Sequence, residues 1–104
     1  GPGVAMLLRR VRTLHSLRSA AMDMEMAYSK AWSILREAER GLGVKLLHST
    51  TGGRGGGGAA LTAAGEQLLE AYDLCERELR EQGDALFRRH FAFLTAQEAD
   101  KADL

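Results

Sequence analysis

Apolar positions recur along this chain in a rhythm that predicts three helices, a short hairpin and one long final helix. Over residues 4–14, Leu7, Leu8, Val11 and Leu14 share one side at helical spacing, and Arg9, Arg10 and Arg12 fall elsewhere. Ser16 offers an N-cap to a second, short helix whose apolar side is Leu17, Ala20, Ala21 and Met24. After a turn near Met24-Glu25-Met26, a third helix is predicted over residues 27–40. Its stripe is Tyr28, Ala31, Trp32, Leu35, Ala38 and then Leu42, which puts Trp32 in the core, and Gly41 and Gly43 stop it. Residues 44–51 read as a strand and residues 59–61 as its return partner. Thr62 then caps a long helix with Leu61, Gly65, Leu68, Tyr72, Cys75, Leu79 and Leu86 at the spacing of a packing seam.

Two short helices joined by a tight turn, the second longer and more amphipathic, make a helix-turn-helix pattern. The predicted class is therefore mainly α with a small β-hairpin wing: a winged helix-turn-helix followed by a long C-terminal dimerisation helix. Residues 1–61 form the winged region, residues 62–95 the helical dimerisation region and residues 96–104 a frayed tail. A continuous helix over residues 62–94 would be roughly 50 Å long. It would overhang a 100-residue globule, whose radius of gyration is about 13 Å. Its seam is thus expected to pack on a second copy through Leu68, Tyr72, Cys75, Leu79 and Leu86. Gly83 is a candidate break, after which Leu86, Phe87, Phe91 and Leu94 would fold back.

The polar positions carry the chemistry. Opposite the third helix's stripe stand Ser29, Lys30, Ser33, Arg36 and Arg40, short hydroxyls and cations of the kind that suits a helix lying in a major groove. Tyr28, Ser29, Lys30, Ser33 and Arg36 are the candidate DNA-contacting residues of that helix, Lys30, Ser33 and Arg36 as base readers and Ser29 and Tyr28 nearer the phosphates. Glu37 and Glu39 at its edge are also compatible with an ordinary solvated face. Between the two predicted strands runs Thr51-Gly52-Gly53-Arg54-Gly55-Gly56-Gly57-Gly58. Glycines let a backbone approach another surface closely, and one guanidinium among them can pair with phosphate in a bidentate way. Gly53, Arg54 and Gly55 of the wing, with Ser16 and Arg18 beside it, complete the candidate contact set. The run could instead be a flexible linker, but linkers need no strand-like flanks. A nucleotide-triphosphate loop fails for want of a following Gly-Lys-Ser/Thr, and a dinucleotide fold has no room for βαβ units.

A length of 104 residues fits one domain. Net charge is zero, yet residues 1–58 hold nine Lys/Arg against four Asp/Glu, and residues 59–104 hold five against ten. The half with the glycine loop is basic, which favours an anionic partner docking at one end. No apolar run is long enough for a membrane span and no export signal is visible, so a cytoplasmic, nucleoid-associated protein is expected. The lone Cys75 fits a reducing compartment and reads as core.

Ser16-Leu17-Arg18-Ser19-Ala20-Ala21, Met26-Ala27-Tyr28-Ser29-Lys30-Ala31-Trp32, the glycine run through Thr62, Gly65 and residues 68–72 resemble the DNA-binding domain of ModE-type regulators. These are bacterial molybdate-responsive transcription factors with a LysR-like winged helix. The likeness covers about residues 1–75. It implies operator binding by the third helix and wing, with dimerisation through terminal helices. Three positions depart from the pattern. His15 and Glu25 stand where glycine is usual, and Ala27 stands where a serine commonly caps the recognition helix. The family's separate oxyanion-binding β-barrel has no counterpart after the long helix, so a stand-alone member or a fragment is expected, without bound molybdate.

The expected function is a homodimeric, sequence-specific regulator on double-stranded DNA with a pseudo-palindromic operator. An enzyme is disfavoured. His15, His48 and His90 lack metal-ligand spacing, no nucleophile sits in a recognisable motif, and neither cofactor nor metal is implied. A winged helix that binds a partner protein and not DNA is the alternative, supported by the neutral charge and by Glu25.

Overall fold

The computed structural model describes residues 1–50 and 57–94. The element order is α1 (Pro2–Leu14), α2 (Leu17–Asp23), α3 (Tyr28–Leu42), β1 (Leu47–Thr50), β2 (Gly58–Leu61) and α4 (Ala63–His90). The chain forms two units, Gly1–Tyr72 and Asp73–Leu104.

The first unit is a winged helix-turn-helix. Pro2 opens α1 at a position where its missing N–H costs nothing. Leu7, Leu8 and Val11 of α1 meet Ala20 and Ala21 of α2 and Ala31 and Leu35 of α3 in one buried cluster. The alanines let the three helices approach closely, and Leu46, Leu61 and Leu69 close the cluster from the wing side and from α4. Arg10 Nε donates to Asp23 at 2.7 Å, tying α1 to α2 on the surface.

Local chemistry sets the helix ends. Ser16 Oγ accepts from Ser19 N–H at 3.0 Å and starts α2. Thr62 Oγ1 accepts from Gly65 N–H at 3.0 Å and donates to Lys45 O at 2.6 Å, so one hydroxyl caps α4 and fastens it to the strand entry. α3 ends at Gly43 in the left-handed region (φ 73°), whose N–H reaches Glu39 O at 2.8 Å. Gly41, expected as a stop, lies inside the helix. The turn between α2 and α3 is a Schellman pair: Glu25 N–H to Met22 O and Met26 N–H to Ala21 O, each 3.0 Å. Its left-handed position is Glu25 (φ 56°), and α1 ends on a second left-handed residue, His15 (φ 61°).

β1 and β2 pair antiparallel, Leu47 opposite Leu61 and Thr50 opposite Gly58. The wing docks on the end of α1, because Ala59 N–H donates to His15 O at 3.0 Å. A Cβ on Gly58 would stand 2.8 Å from that same oxygen and 2.6 Å from Thr50 Oγ1, so the close approach requires glycine there.

Several expectations change. The strand begins at Leu47 and not at residue 44, because Leu46 is a core plug whose backbone is taken by other partners. Its N–H donates to Glu39 Oε2 at 2.8 Å and its carbonyl accepts from Thr62 N–H at 3.0 Å. Trp32 is 46% exposed and not core, since α3 packs inward through Ala31, Ile34, Leu35 and Ala38, one step around the helix from the expected stripe. On α4 the fully buried residues are Gly65 and Leu69, with Leu68 and Tyr72 half-buried beside the core.

In the second unit α4 runs on through Gly83, which does not break it. Every described residue from Asp73 to Leu94 is exposed, Cys75 included, against its expected core place. Leu79 is 65% exposed, and Phe87 stacks on Phe91 with ring centroids 4.8 Å apart. No helix among the described residues is long and apolar enough to cross a membrane.

Candidate nucleic-acid interface

α3 supplies the presenting surface. With Ala31 and Leu35 buried, the 3.6-residue turn sends Ser29, Ser33, Arg36 and Arg40 to the opposite side as one exposed ridge. Lys30 is exposed on the flank of that ridge. The ridge is short-chained at its start and cationic toward its end. Ala27 stands at the N-cap and offers no side-chain acceptor, so α3 starts without a side-chain cap.

The other flank of α3 turns toward the wing. Tyr28 and Trp32, 40% and 46% exposed, lie there, and each carries an arginine on its face. The Arg18 guanidinium sits 4.3 Å from the Tyr28 ring centroid and that of Arg36 sits 4.9 Å from Trp32. Between this flank and β1 lies a groove of about 500 Å3, reached by Ser16, Arg18, Arg36, Lys45 and His48. A second hollow, of about 430 Å3, lies against Trp32, Arg36, Arg40 and Lys45.

Glu39 is the residue that sequence reasoning left on the solvated edge. Its side chain is only 11% exposed. Oε2 accepts from Leu46 N–H at 2.8 Å and Leu47 N–H at 3.4 Å, while Oε1 lies 3.8 Å from Arg36. One carboxylate thus joins the recognition-helix candidate to the first residues of the wing. The i, i+3 spacing of Arg36 and Glu39 was visible in the sequence, but the backbone partners seven and eight residues on were not.

The structure brings Ser16, Arg18, Tyr28 and Arg36 together at the groove, leaves Ser29 and Ser33 exposed on the ridge, and puts Lys30 on the far flank of α3. Gly53, Arg54 and Gly55 lie outside the described residues. The expected dimer residues separate: Leu68 and Tyr72 lean on the winged-helix core, while Cys75, Leu79 and Leu86 are exposed in the second unit. Among the described residues, no cluster of three His, Cys, Asp or Glu could hold a metal ion.

Residues 5–66 match the model of the bacterial regulatory helix-turn-helix proteins of the lysR family. The chain belongs to that family. It is 38% identical over 71 residues to the transcriptional regulator ModE of Haemophilus influenzae, covering 68% of this chain and 28% of the relative. It is 34% identical over 80 residues to the DNA-binding transcriptional dual regulator ModE of Escherichia coli K12, covering 77% and 30%. The molybdenum-pterin-binding protein MopB of Rhodobacter capsulatus is 34% identical over 70 residues, covering 67% and 26%. The chain spans less than a third of the length of these curated relatives. The helix-turn-helix and both wing strands of this family member fall inside the matched residues.

Proposed function

We propose that this chain is the DNA-binding part of a ModE-type transcriptional regulator, acting in the bacterial cytoplasm. The observation that carries the reading is the α3 ridge: hydroxyls and cations exposed on one side of a helix whose other side is sealed by Ala31 and Leu35. A helix of that make, preceded by the α2 turn, fits the major groove with its first turns nearest the bases. Lys30 and Ser33 reach base edges in this reading, with Ser29 and Tyr28 nearer the phosphates. Gly53, Arg54 and Gly55 at the wing touch phosphate or the minor groove.

The same reading makes the protein a homodimer. Leu79, Leu86 and Phe87 are 65%, 48% and 58% exposed on α4, and covering that remaining apolar area with a second copy is favourable by about 25 cal/mol per Å2. Two copies related by a two-fold axis place their recognition helices about one DNA turn, or a multiple of it, apart, which calls for a pseudo-palindromic operator. Molybdate is not a ligand of these residues in this scheme. The hydroxyls that begin α2 and α4 are occupied by Ser19, Gly65 and Lys45, and calorimetry with molybdate is expected to show no binding.

Selection of duplexes from a random pool, followed by affinity measurement across a salt series, tests the proposal. Enrichment of a pseudo-palindrome and a steep fall of affinity with salt are expected. Enrichment of no motif, with binding insensitive to salt, refutes it.

A further inference from the structure

The groove between α3 and β1 has two exposed aromatic rings, each bearing a guanidinium, and its banks are cationic. Arg18, Arg36 and Lys45 line it against one acid, Glu39, whose Oε2 is already engaged by Leu46 and Leu47. A guanidinium carries five N–H donors, more than one ring contact uses, and those donors match phosphate oxygens. The ring fixes the guanidinium in advance, so less side-chain freedom is lost when an anion binds.

Arg36 is the telling residue. It belongs by helical position to the outward ridge, as a base reader would. Its guanidinium nonetheless lies over Trp32 at 4.9 Å and within 3.8 Å of Glu39 Oε1, toward the wing. Trp32 itself is the chain's single tryptophan and is nearly half exposed, an apolar area that an adjacent deoxyribose can cover.

We propose that one DNA backbone strand runs along this groove, its phosphates held by Arg18 on Tyr28 and Arg36 on Trp32, so that Arg36 tracks the backbone and does not read bases. This rests on the DNA-binding reading and assigns the strand's place and the partners within it. Glu39 is the positioning residue of the pair, since it holds Arg36 and the wing entry at once.

Affinity for the selected duplex and for a random duplex, each over a salt series, separates backbone from base contact. Arg36→Ala and Arg18→Ala are each expected to weaken both duplexes by the same factor and to lower the salt slope by about one unit. The selected motif should not change. Arg36→Lys keeps the charge but loses the planar fork, so it should restore the slope and only part of the affinity. Trp32 emission supplies an independent readout: both duplexes should shield it from iodide. An altered base preference with unchanged salt slope, or a Trp32 as open to iodide in the complex as in free protein, overturns the groove assignment alone. A parent chain that binds no duplex overturns the DNA-binding reading and this assignment together.

Discussion

Gly65→Ala places one methyl group where the structure has no room. The new Cβ would run into the carbonyl oxygen of Leu46, with Leu46 C at 3.2 Å and Leu61 Cβ at 3.4 Å. That carbonyl cannot give way cheaply. Leu46 is fully buried, its N–H is held by Glu39, and its oxygen is the acceptor for Thr62 N–H at 3.0 Å. Overpacking of this kind costs about 1–3 kcal/mol, and disturbing the Thr62 hydrogen bond adds about 1 kcal/mol. Alanine's better helix propensity returns up to about 1 kcal/mol. The net expectation is a loss of about 1–3 kcal/mol, or roughly 4–8 °C in Tm per kcal/mol for a domain of this size. Gly83→Ala is the internal control, since it makes the same change in the same helix with nothing within 4 Å of the new methyl. It should gain up to about 1 kcal/mol. Thermal melts followed by far-ultraviolet circular dichroism, at one fixed protein concentration, read both variants. A Gly65→Ala protein as stable as its parent refutes the claim that α4 is seated on the Leu46 carbonyl.

Glu39→Ala leaves the buried Leu46 N–H without its acceptor and should cost about 2 kcal/mol in urea unfolding, while Glu39→Gln retains a carbonyl acceptor and should cost less. Glu25→Gly relieves a left-handed residue and should stabilise the fold by about 0.5–1 kcal/mol. Removing that carboxylate beside α3 should also tighten random-duplex binding at low salt, which a titration would show. The parent chain should sediment as a dimer at micromolar concentration, and the double change Leu79→Asp with Leu86→Asp should give a folded monomer. A monomeric parent would end the dimer reading.

The fold was legible where its determinants are local. The caps made by Ser16 and Thr62 reach three residues along the chain, so the starts of α2 and α4 could be read directly, whereas α3 runs through Gly41 and ends two residues later than expected. Facing was harder. On α3, Trp32 and Ile34 sit on either side of the Ala31–Leu35 line, and spacing alone favoured the larger ring. The structure buries Ile34 in part and leaves Trp32 out, on the flank that borders the groove with β1. Leu68 and Leu69 posed the same ambiguity on α4. Residues of the candidate site separate in the same way. The exposed ridge follows from helix period, whereas the groove depends on how far β1 stands from α3, which Glu39 sets through contacts seven and eight residues away.

The two left-handed residues that are not glycine, His15 and Glu25, tie sequence departures to energetics. Both sit at positions where the resemblance leads one to expect glycine, and they are the two non-glycine residues with positive φ among those described. Their conformations are held by backbone hydrogen bonds that no side chain alters: His15 N–H to Val11 O at 2.7 Å, and the Schellman pair around Glu25. His15 O is in addition the acceptor for the wing's Ala59. Glycine at these positions is therefore a preference of about 1 kcal/mol and not a condition of the fold. The Schellman hydrogen bonds are in place with Glu25 at the left-handed position. The departure is expected to act through charge: a carboxylate stands two residues before Ala27, the N-cap of α3, and in the proposed complex it repels phosphates. Base contacts add to such a repulsion unchanged, so it weakens operator and random duplex by the same factor. Glu25→Gly is therefore expected to tighten operator and random duplex by the same factor at low salt and to leave their ratio unchanged, and a titration in which neither affinity moved would refute the charge account.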